Sequence, residues 1–189
     1  MDPVNSEQII ASLLGSDPEK AFQQIYELYA RRLLGVAYRY VGDREVAKDL
    51  FQEAICKVYK ARNSFKYQRE GSLMAWLKRI MINECINHLK SFHVRMVDRY
   101  DEGQQRAEEV PQDEEVGWLA QLDNDLLMEM IAGLPDGYRV VLNMYVIEGF
   151  SHKEIAARLG IKERSSSSQY HRAKLELKRR IEQWIKEQE

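Results

Sequence analysis

Apolar side chains recur at steps of three and four residues along most of this chain, and this spacing restricts the fold more than any other feature. Residues that repeat in this way share one face of an α-helix, whereas a strand requires strict alternation. The 189 residues include only 10 glycines and 4 prolines, so few positions favour the turns that a many-stranded fold needs. The pattern therefore predicts an all-α protein built from long helices.

Capping residues mark where the helices of the first half begin. Asp17 stands directly before a proline and a glutamate, and Asp43 precedes the next apolar stripe, as expected of residues at helix N-termini. A third helix is predicted to begin at Ser72, after a loop over residues 63–71. Because the apolar faces of these helices can cover one another, we predict a small helical domain over residues 1–97.

The net charge of −2 hides an uneven distribution of charge along the chain. Residues 1–97 carry a net charge of +4, residues 98–124 carry −7 and residues 125–189 carry +1. The acidic segment also loses the helical periodicity, so we predict a flexible acidic linker over residues 98–124 between two small helical domains. Residues 151–180 alone carry +6, which favours contact with a polyanion.

The second predicted domain, residues 125–189, contains the pattern of a helix-turn-helix. Ser151 and Glu154 match a capping box, Gly160 supplies a turn, and a second helix with a basic and polar outer face follows from about Glu163. In such a motif the second helix enters the major groove of DNA, while basic side chains contact phosphates. The alternative is an ordinary helical hairpin with a solvated basic face.

Taken together, the two halves resemble the extracytoplasmic-function sigma factors, a compact two-domain group of bacterial transcription initiation factors. In the first half the resemblance rests on Asp43, Ala47, Asp49-Leu50, Gln52-Glu53, Phe65, Trp76-Leu77, Ile80, Asn83, Asn87 and Lys90. In the second half it rests on Leu134-Pro135, Arg139, Glu148-Gly149, Ser151, Glu154-Ile155-Ala156, Leu159-Gly160-Ile161 and Arg172-Ala173. The resemblance covers about residues 18–97 and 125–182.

For the first domain, the resemblance implies two binding surfaces. One is a helix face that docks on the coiled-coil clamp of the largest RNA polymerase subunit, and its matching residues are Asp49, Gln52 and Glu53. The other binds the melted promoter element, with a loop that receives a flipped base, and its matching residues are Phe65, Lys66, Arg69, Asn83, Asn87 and Lys90. From the residues alone, the first set is equally an exposed helix face, the asparagines equally decorate a helix, and Phe65 is equally a core residue.

For the second domain, the resemblance implies that the helix-turn-helix binds the upstream promoter duplex. By their position we predict that the second helix places four residues nearest the groove, namely Ser167, Ser168, His171 and Arg172. The basic stripe around it is predicted to contact phosphates, through Lys153, Arg164 and Lys174.

The recognition helix departs from the family pattern at Arg164-Ser-Ser-Ser-Ser168, where the family usually has Gly-Thr-Val-basic-Ser. Ser166 falls where an apolar residue usually fills the motif. Its hydroxyl therefore needs a partner, such as a backbone carbonyl one turn earlier. Ser167 replaces a basic residue that often touches DNA in the family, so the resemblance does not supply the base contacts.

The sequence gives little support for a metal site, a cofactor, an enzyme activity or a membrane span. Cys85, His88 and His93 have a C-x2-H-x4-H spacing but lack a convincing fourth ligand, so we predict neither a metal site nor a cofactor. No catalytic constellation indicates an enzyme or a small-molecule substrate. No apolar run approaches the roughly 20 residues that span a bilayer, and the N-terminus lacks the features of a signal peptide, so we expect a cytoplasmic protein.

The predicted function is that of a promoter-specificity subunit whose partners are core RNA polymerase and promoter DNA. The resemblance also implies a possible anti-sigma factor as a third partner. It further implies that the acidic side chains from Asp98 to Glu115 follow a nucleic-acid path through the polymerase. One alternative is a free-standing helix-turn-helix transcriptional regulator, and another is a small helical enzyme that uses Cys85 and the nearby histidines.

Overall fold

A computed structural model describes residues 6–93 and 124–188, which form helices and the connections between them, with no strand in these two ranges. The all-α prediction is therefore confirmed for the described part of the chain. The chain divides into two compact units between Asn87 and His88, and each unit is described by itself. The predicted linker lies outside the described residues, except for Asn124, which begins a helix.

In the first unit the helices are α1 (Ser6–Ser16), α2 (Pro18–Val41), α3 (Arg44–Ala61) and α4 (Ser72–His93), of which α4 continues past the division at Asn87. A 3-10 turn, Arg62–Ser64, and an irregular loop connect α3 to α4. Helix α2 packs against both α1 and α3. Helix α1 is an addition to the predicted architecture, because the sequence analysis placed no helix before Asp17.

Local capping explains why α2 and α3 begin and end where they do. The Asp17 carboxylate accepts a hydrogen bond from the Lys20 amide at 3.3 Å, and the Asp43 carboxylate accepts two at the start of α3. Gly42 ends α2 in the left-handed conformation with φ of 73°, which a residue without a Cβ adopts at little energetic cost. Both predicted helix starts are confirmed.

In the second unit the helices are α5 (Asn124–Ala132), α6 (Asp136–Leu142), α7 (His152–Leu159) and α8 (Glu163–Gln188). Long helix α8 lies against α5, α6 and α7. Its buried face contributes Ala173, Leu177 and Ile181 to a core that also holds Ile131, Leu134 and Leu142.

Helix α6 is α-helical only as far as Leu142. A π-helical turn over Asn143–Ile147 follows, in which the Glu148 amide donates to the Asn143 carbonyl at 3.0 Å. Where the hydrogen-bond spacing changes from α-helical to π-helical, the buried Asn143 side chain donates to the Arg139 carbonyl at 2.8 Å. A side chain that bonds a backbone carbonyl in this way is not visible in a hydrophobic pattern.

A buried arginine holds the turn between α5 and α6. The Arg139 side chain is only 5 % exposed, and its guanidinium donates to the Ala132 carbonyl at 2.8 Å and to the Leu134 carbonyl at 2.6 Å. It also forms an ion pair with Asp136. These bonds satisfy one carbonyl at the end of α5 and one in the turn that follows it. A single side chain on α6 therefore connects α5 to α6.

Candidate nucleic-acid interfaces

The loop before α4 forms a pocket of about 760 Å³. Aromatic and basic side chains line much of it, and these are Phe65, Lys66, Arg69, Trp76 and Arg79. The Phe65 and Trp76 rings pack with their centroids 5.0 Å apart, and both side chains are half-buried. Phe65 is therefore part of the pocket wall rather than a fully buried core residue.

The charge of the pocket favours an anionic ligand. Lys66, Arg69 and Arg79 are exposed at its rim, against one acidic neighbour, Glu70. Basic groups beside aromatic faces are the combination that holds single-stranded nucleic acid, because the cations contact phosphates while the rings stack on bases.

A polar stripe on α4 begins at the pocket and continues along the helix. Asn83 and Asn87 are exposed and Lys90 is half-buried, and their spacing of four and three residues puts them on one face. Arg79 stands four residues before Asn83 on the same face and also lines the pocket. Arg79 was missed as a site residue, although its spacing from Asn83 is a signal that would have identified it.

The predicted docking residues lie on the exposed side of α3. Asp49, Gln52 and Glu53 are exposed, whereas Leu50 and Ala54 are buried on the other side. Spacings of three and four residues place the three polar side chains together on one surface. We call Asp49, Gln52 and Glu53 the acidic face of α3.

The lysines closest in sequence to the acidic face of α3 are paired with other carboxylates. Lys48 contacts Glu45 at 2.6 Å, and Lys57 contacts the buried Glu84 of α4 at 2.5 Å. Because these cations have other partners, the acidic face keeps its negative character and is suited to a basic partner.

The corner of the predicted helix-turn-helix has the expected local geometry. The Ser151 hydroxyl accepts from the Glu154 amide at 3.3 Å, and the Glu154 carboxylate accepts from the Ser151 amide at 2.9 Å. The Ser151 amide and hydroxyl both donate to the Glu154 carboxylate, and these two hydrogen bonds hold the pKa of Glu154 below its usual value. Gly160 has φ of 73° and ends α7, so the predicted capping box and turn glycine are both confirmed.

The hydroxyl of Ser166 has a different partner from the carbonyl that the sequence suggested. Ser166 is fully buried, and its Oγ lies 3.0 Å from Nδ1 of His152 on α7. The His152 ring stacks on Tyr145 with centroids 4.4 Å apart and an interplanar angle of 8°. The polar contact between Ser166 and His152 therefore joins α7 to α8 at the position where the sequence pattern predicted an apolar side chain. The stacked Tyr145 ring covers one face of the His152 ring.

The outer face of α8 carries the predicted groove residues. Arg164 and Ser167 are exposed, and Ser168, His171 and Arg172 are half-buried. Their spacing places all five on the side of α8 opposite its buried residues Ser166, Ala173 and Leu177. Leu175, which was not among the predicted site residues, continues this stripe four residues after His171 and is 50 % exposed.

The predicted phosphate-contacting residues flank this stripe. Lys153 is exposed in the first turn of α7, and the Lys174 ammonium lies 5.1 Å from the centroid of the Tyr170 ring. Further along α8, Arg179 and Arg180 donate to Glu176 at 2.8 and 2.9 Å, which lowers the pKa of that carboxyl to about 2. Those two arginines are engaged within the helix, so the basic stripe available to DNA centres on the residues before Glu176.

Cys85, on which the metal-site and enzyme hypotheses depend, lies in the core of the first unit. Cys85 is fully buried, and burial raises the pKa of its thiol to about 12, which disfavours the thiolate that a ligand or nucleophile requires. His93 has its side chain outside the described part. Among the residues described, no three metal-binding side chains are clustered, and no helix has the length and apolar character needed to cross a membrane.

The bond between His152 and Ser166 gives a first prediction. Burial lowers the pKa of His152 against an opposing effect of Glu163, so the unfolded chain binds a proton more readily than the folded one. Stability of the α7–α8 corner should be complete above pH 6.5, the ordinary pKa, and should fall as the pH drops below it. Hydrogen exchange of the Ile155 and Ala156 amides, corrected for intrinsic rates, measures this stability.

The same measurement applies to variants of the pair. Ser166→Ala should destabilise the corner by about 1 kcal/mol. The double variant His152→Phe with Ser166→Ala should be more stable than the sum of the single effects, by about 0.5 kcal/mol or more. His152→Phe should also remove the pH dependence. Additive effects with an unchanged pH profile would show that the two side chains do not act together.

Comparison with known proteins assigns both units to families. Residues 25–95 match sigma-70 region 2, and residues 124–177 match sigma-70, region 4. The RNA polymerase sigma-H factor of Pseudomonas aeruginosa is 28% identical over 146 residues, which are 73% of this chain and 74% of that protein. The ECF RNA polymerase sigma-E factor of Escherichia coli K12 is 26% identical over 163 residues, covering 80% and 82% of the two chains.

A solved structure with some likeness is the sigma factor RpoE of Bartonella quintana in complex with the anti-sigma factor NepR. It has a TM-score of 0.48 and 22% identity, and the match covers 86% of this chain and 98% of that one.

Proposed function

The chain belongs to the extracytoplasmic-function group of sigma-70 factors, and we propose that three of its surfaces divide the work of transcription initiation. As a member of this family it binds core RNA polymerase and directs it to specific promoters. It supplies no chemistry of its own and acts in the cytoplasm, where polymerase and promoter DNA meet.

The first surface is the acidic face of α3, which docks on a basic part of the polymerase. Opposite charges steer the encounter, and the amide of Gln52 adds a directional hydrogen bond to the two carboxylates. The pairing of Lys48 and Lys57 with Glu45 and Glu84 supports this assignment, because it leaves the face acidic.

The second surface holds melted promoter DNA. It consists of the pocket before α4 and the polar stripe formed by Arg79, Asn83, Asn87 and Lys90. An unstacked base enters the pocket against Phe65 and Trp76, while the rim cations contact the phosphates on either side. The continuity of a basic, aromatic pocket with an amide-bearing helix face is the observation that carries the proposal.

The third surface is the outer face of α8, which enters the major groove of the upstream duplex. Arg172 and His171 face the bases together with the two serines, and Lys153, Arg164 and Lys174 contact the backbone. Leu175 adds an apolar contact of the kind that a thymine methyl accepts.

The matched pair of sigma-70 regions favours an initiation factor over a free-standing regulator. A regulator of that kind binds a palindromic duplex alone as a dimer, whereas a sigma factor acts with core polymerase. The enzyme hypothesis is weakened by the protonated, buried Cys85. An anti-sigma partner for this chain stays a prediction.

Run-off transcription with core polymerase and genomic fragments tests the proposal. Discrete transcripts should appear only when the chain is added. The variant Lys66→Ala with Arg69→Ala should reduce open complexes, measured by permanganate reactivity of unpaired thymines, by about tenfold, since two phosphate contacts are lost. A matched variant, Lys20→Ala with Arg31→Ala, removes the same charge from α2 and should change open complexes little. Equal effects of both variants would refute the role of the pocket.

A further inference from the structure

A buried carboxylate on α1 reaches across the first unit to the start of α4. Glu7 is only 6 % exposed, and its oxygens accept hydrogen bonds from the Leu73 amide at 3.2 Å and the Met74 amide at 3.3 Å. The Tyr29 hydroxyl on α2 donates to the same carboxylate at 3.2 Å. One side chain therefore joins α1, α2 and α4.

The two amides are among those that a helix cannot satisfy by itself. The first amides of a helix have no carbonyl one turn earlier, and a negative charge near them is favoured by the helix dipole. A capping side chain usually comes from the adjacent residue in sequence, but here it comes from 66 residues away. Burial and the neighbouring carboxylate raise the pKa of Tyr29 to about 12, so its hydroxyl stays protonated and keeps donating.

Helix α1 also contacts the other end of the pocket loop. It packs against the 3-10 turn Arg62–Ser64, from which the loop departs, while Glu7 holds Leu73 and Met74 in the first turn of α4, where the loop ends. Every residue that lines the pocket lies between Ser64 and Arg79. The separation and orientation of the two loop ends thus depend on α1.

We propose that α1 is the element that sets the geometry of the pocket loop, with Glu7 as its positioning residue. The proposal rests on the proposed function of this pocket in holding a base of melted promoter DNA. Helix α1 precedes residues 25–95, the segment that matches sigma-70 region 2, so the role belongs to a part of the chain outside that match. Glu7 touches no nucleic acid and acts through the backbone of α4.

The test compares Glu7→Ala, Glu7→Gln and Tyr29→Phe in the full chain with core polymerase. Glu7→Ala should increase hydrogen exchange at Leu73, Met74 and the loop over residues 64–72, and should reduce open complexes by about tenfold, because two amides lose their acceptor. Glu7→Gln keeps an acceptor oxygen and should recover much of this loss. Core binding should change less than about twofold, because Glu7 lies away from the acidic face of α3 and a change of that size is a small fraction of a tenfold step in affinity.

Control variants separate positioning from a general loss of stability. Asp17→Ala removes a capping carboxylate from α2 instead and should leave loop exchange and open complexes unchanged. If Glu7→Ala does not fold, Tyr29→Phe removes only one hydrogen bond and keeps the ring, and it should give a smaller change in the same direction. A loop that exchanges normally in both variants overturns the proposal, as does an equal effect of Asp17→Ala.

Failure of the proposed function gives a different result. Phe65→Ala alters the pocket wall without touching Glu7, so it tests the use of the pocket directly. If Phe65→Ala reduces open complexes and Glu7→Ala does not, the positioning role is wrong and the pocket assignment stands. If Phe65→Ala has no effect while Glu7→Ala loosens the loop, the pocket assignment is wrong and the positioning of the loop by α1 stands.

Discussion

Replacing Arg139 by Met should unfold much of the second unit. The guanidinium is buried and serves the Ala132 and Leu134 carbonyls as well as the Asp136 carboxylate. Its loss leaves two buried backbone carbonyls without donors, at a cost of about 1–3 kcal/mol for each, whereas the Asp136 carboxylate is 43 % exposed and keeps contact with water. Because whole domains are stable by only about 5–15 kcal/mol, a short helical unit has little reserve.

Hydrogen exchange of the full chain measures this loss in each unit separately. Amides of α5 to α8 should lose most of their protection, while those of α2 and α3 should keep it. Arg139→Lys is the informative control, because it retains the charge but not the planar fork that reaches two carbonyls at once, and it should be intermediate. Full protection in Arg139→Met would mean that the core formed by α5, α6 and α8 closes this turn without the arginine.

Features of the fold that depend on neighbours in sequence were predictable. The caps at Asp17 and Asp43 and the capping box at Ser151 act within three residues of their partners, so a pattern of residue types is enough to locate them. The buried face of α8 follows from the helical period alone.

Features that depend on distant contacts were not predictable. The Glu7 carboxylate connects α1 to α4 through amides that are 66 and 67 residues away, and no local sequence pattern indicates such a bond. The partner of Ser166 is His152, 14 residues earlier, on a different helix. The sequence indicated that Ser166 needed a partner, but only the crossing of α7 and α8 determines which one it has.

The same distinction between local and distant contacts applies to the interface residues. Periodicity was sufficient to group Arg164, Ser167 and His171, because all lie on one helix. The pocket combines a loop with four positions of α4, and although its spacing from Asn83 places Arg79 on the polar stripe, its part in the pocket wall depends on how the loop folds.

The triple variant Asp49→Ala, Gln52→Ala, Glu53→Ala should weaken binding to core polymerase by about 100-fold, because a few central residues carry most of an interface's free energy. The three side chains are exposed and make no part of the core of the unit, whose nearest members are Leu50 and Ala54. Helicity and thermal stability should therefore change little, since alanine favours helix. Fluorescence anisotropy of the labelled chain, titrated with core polymerase, measures the affinity.

A matched variant on α2 separates docking from a nonspecific charge effect. Glu19, Gln23 and Glu27 are exposed and present the same chemical groups, two carboxylates and one amide, along one side of that helix. Replacing all three by alanine changes the net charge by the same amount, yet affinity should stay close to that of the unmodified chain. Because opposite charges attract across the proposed interface, its affinity should also fall as salt rises, and this salt dependence should be reduced in the α3 variant. Equal weakening by both triple variants would show that overall charge drives the association, and the acidic face of α3 would then have no special place in it.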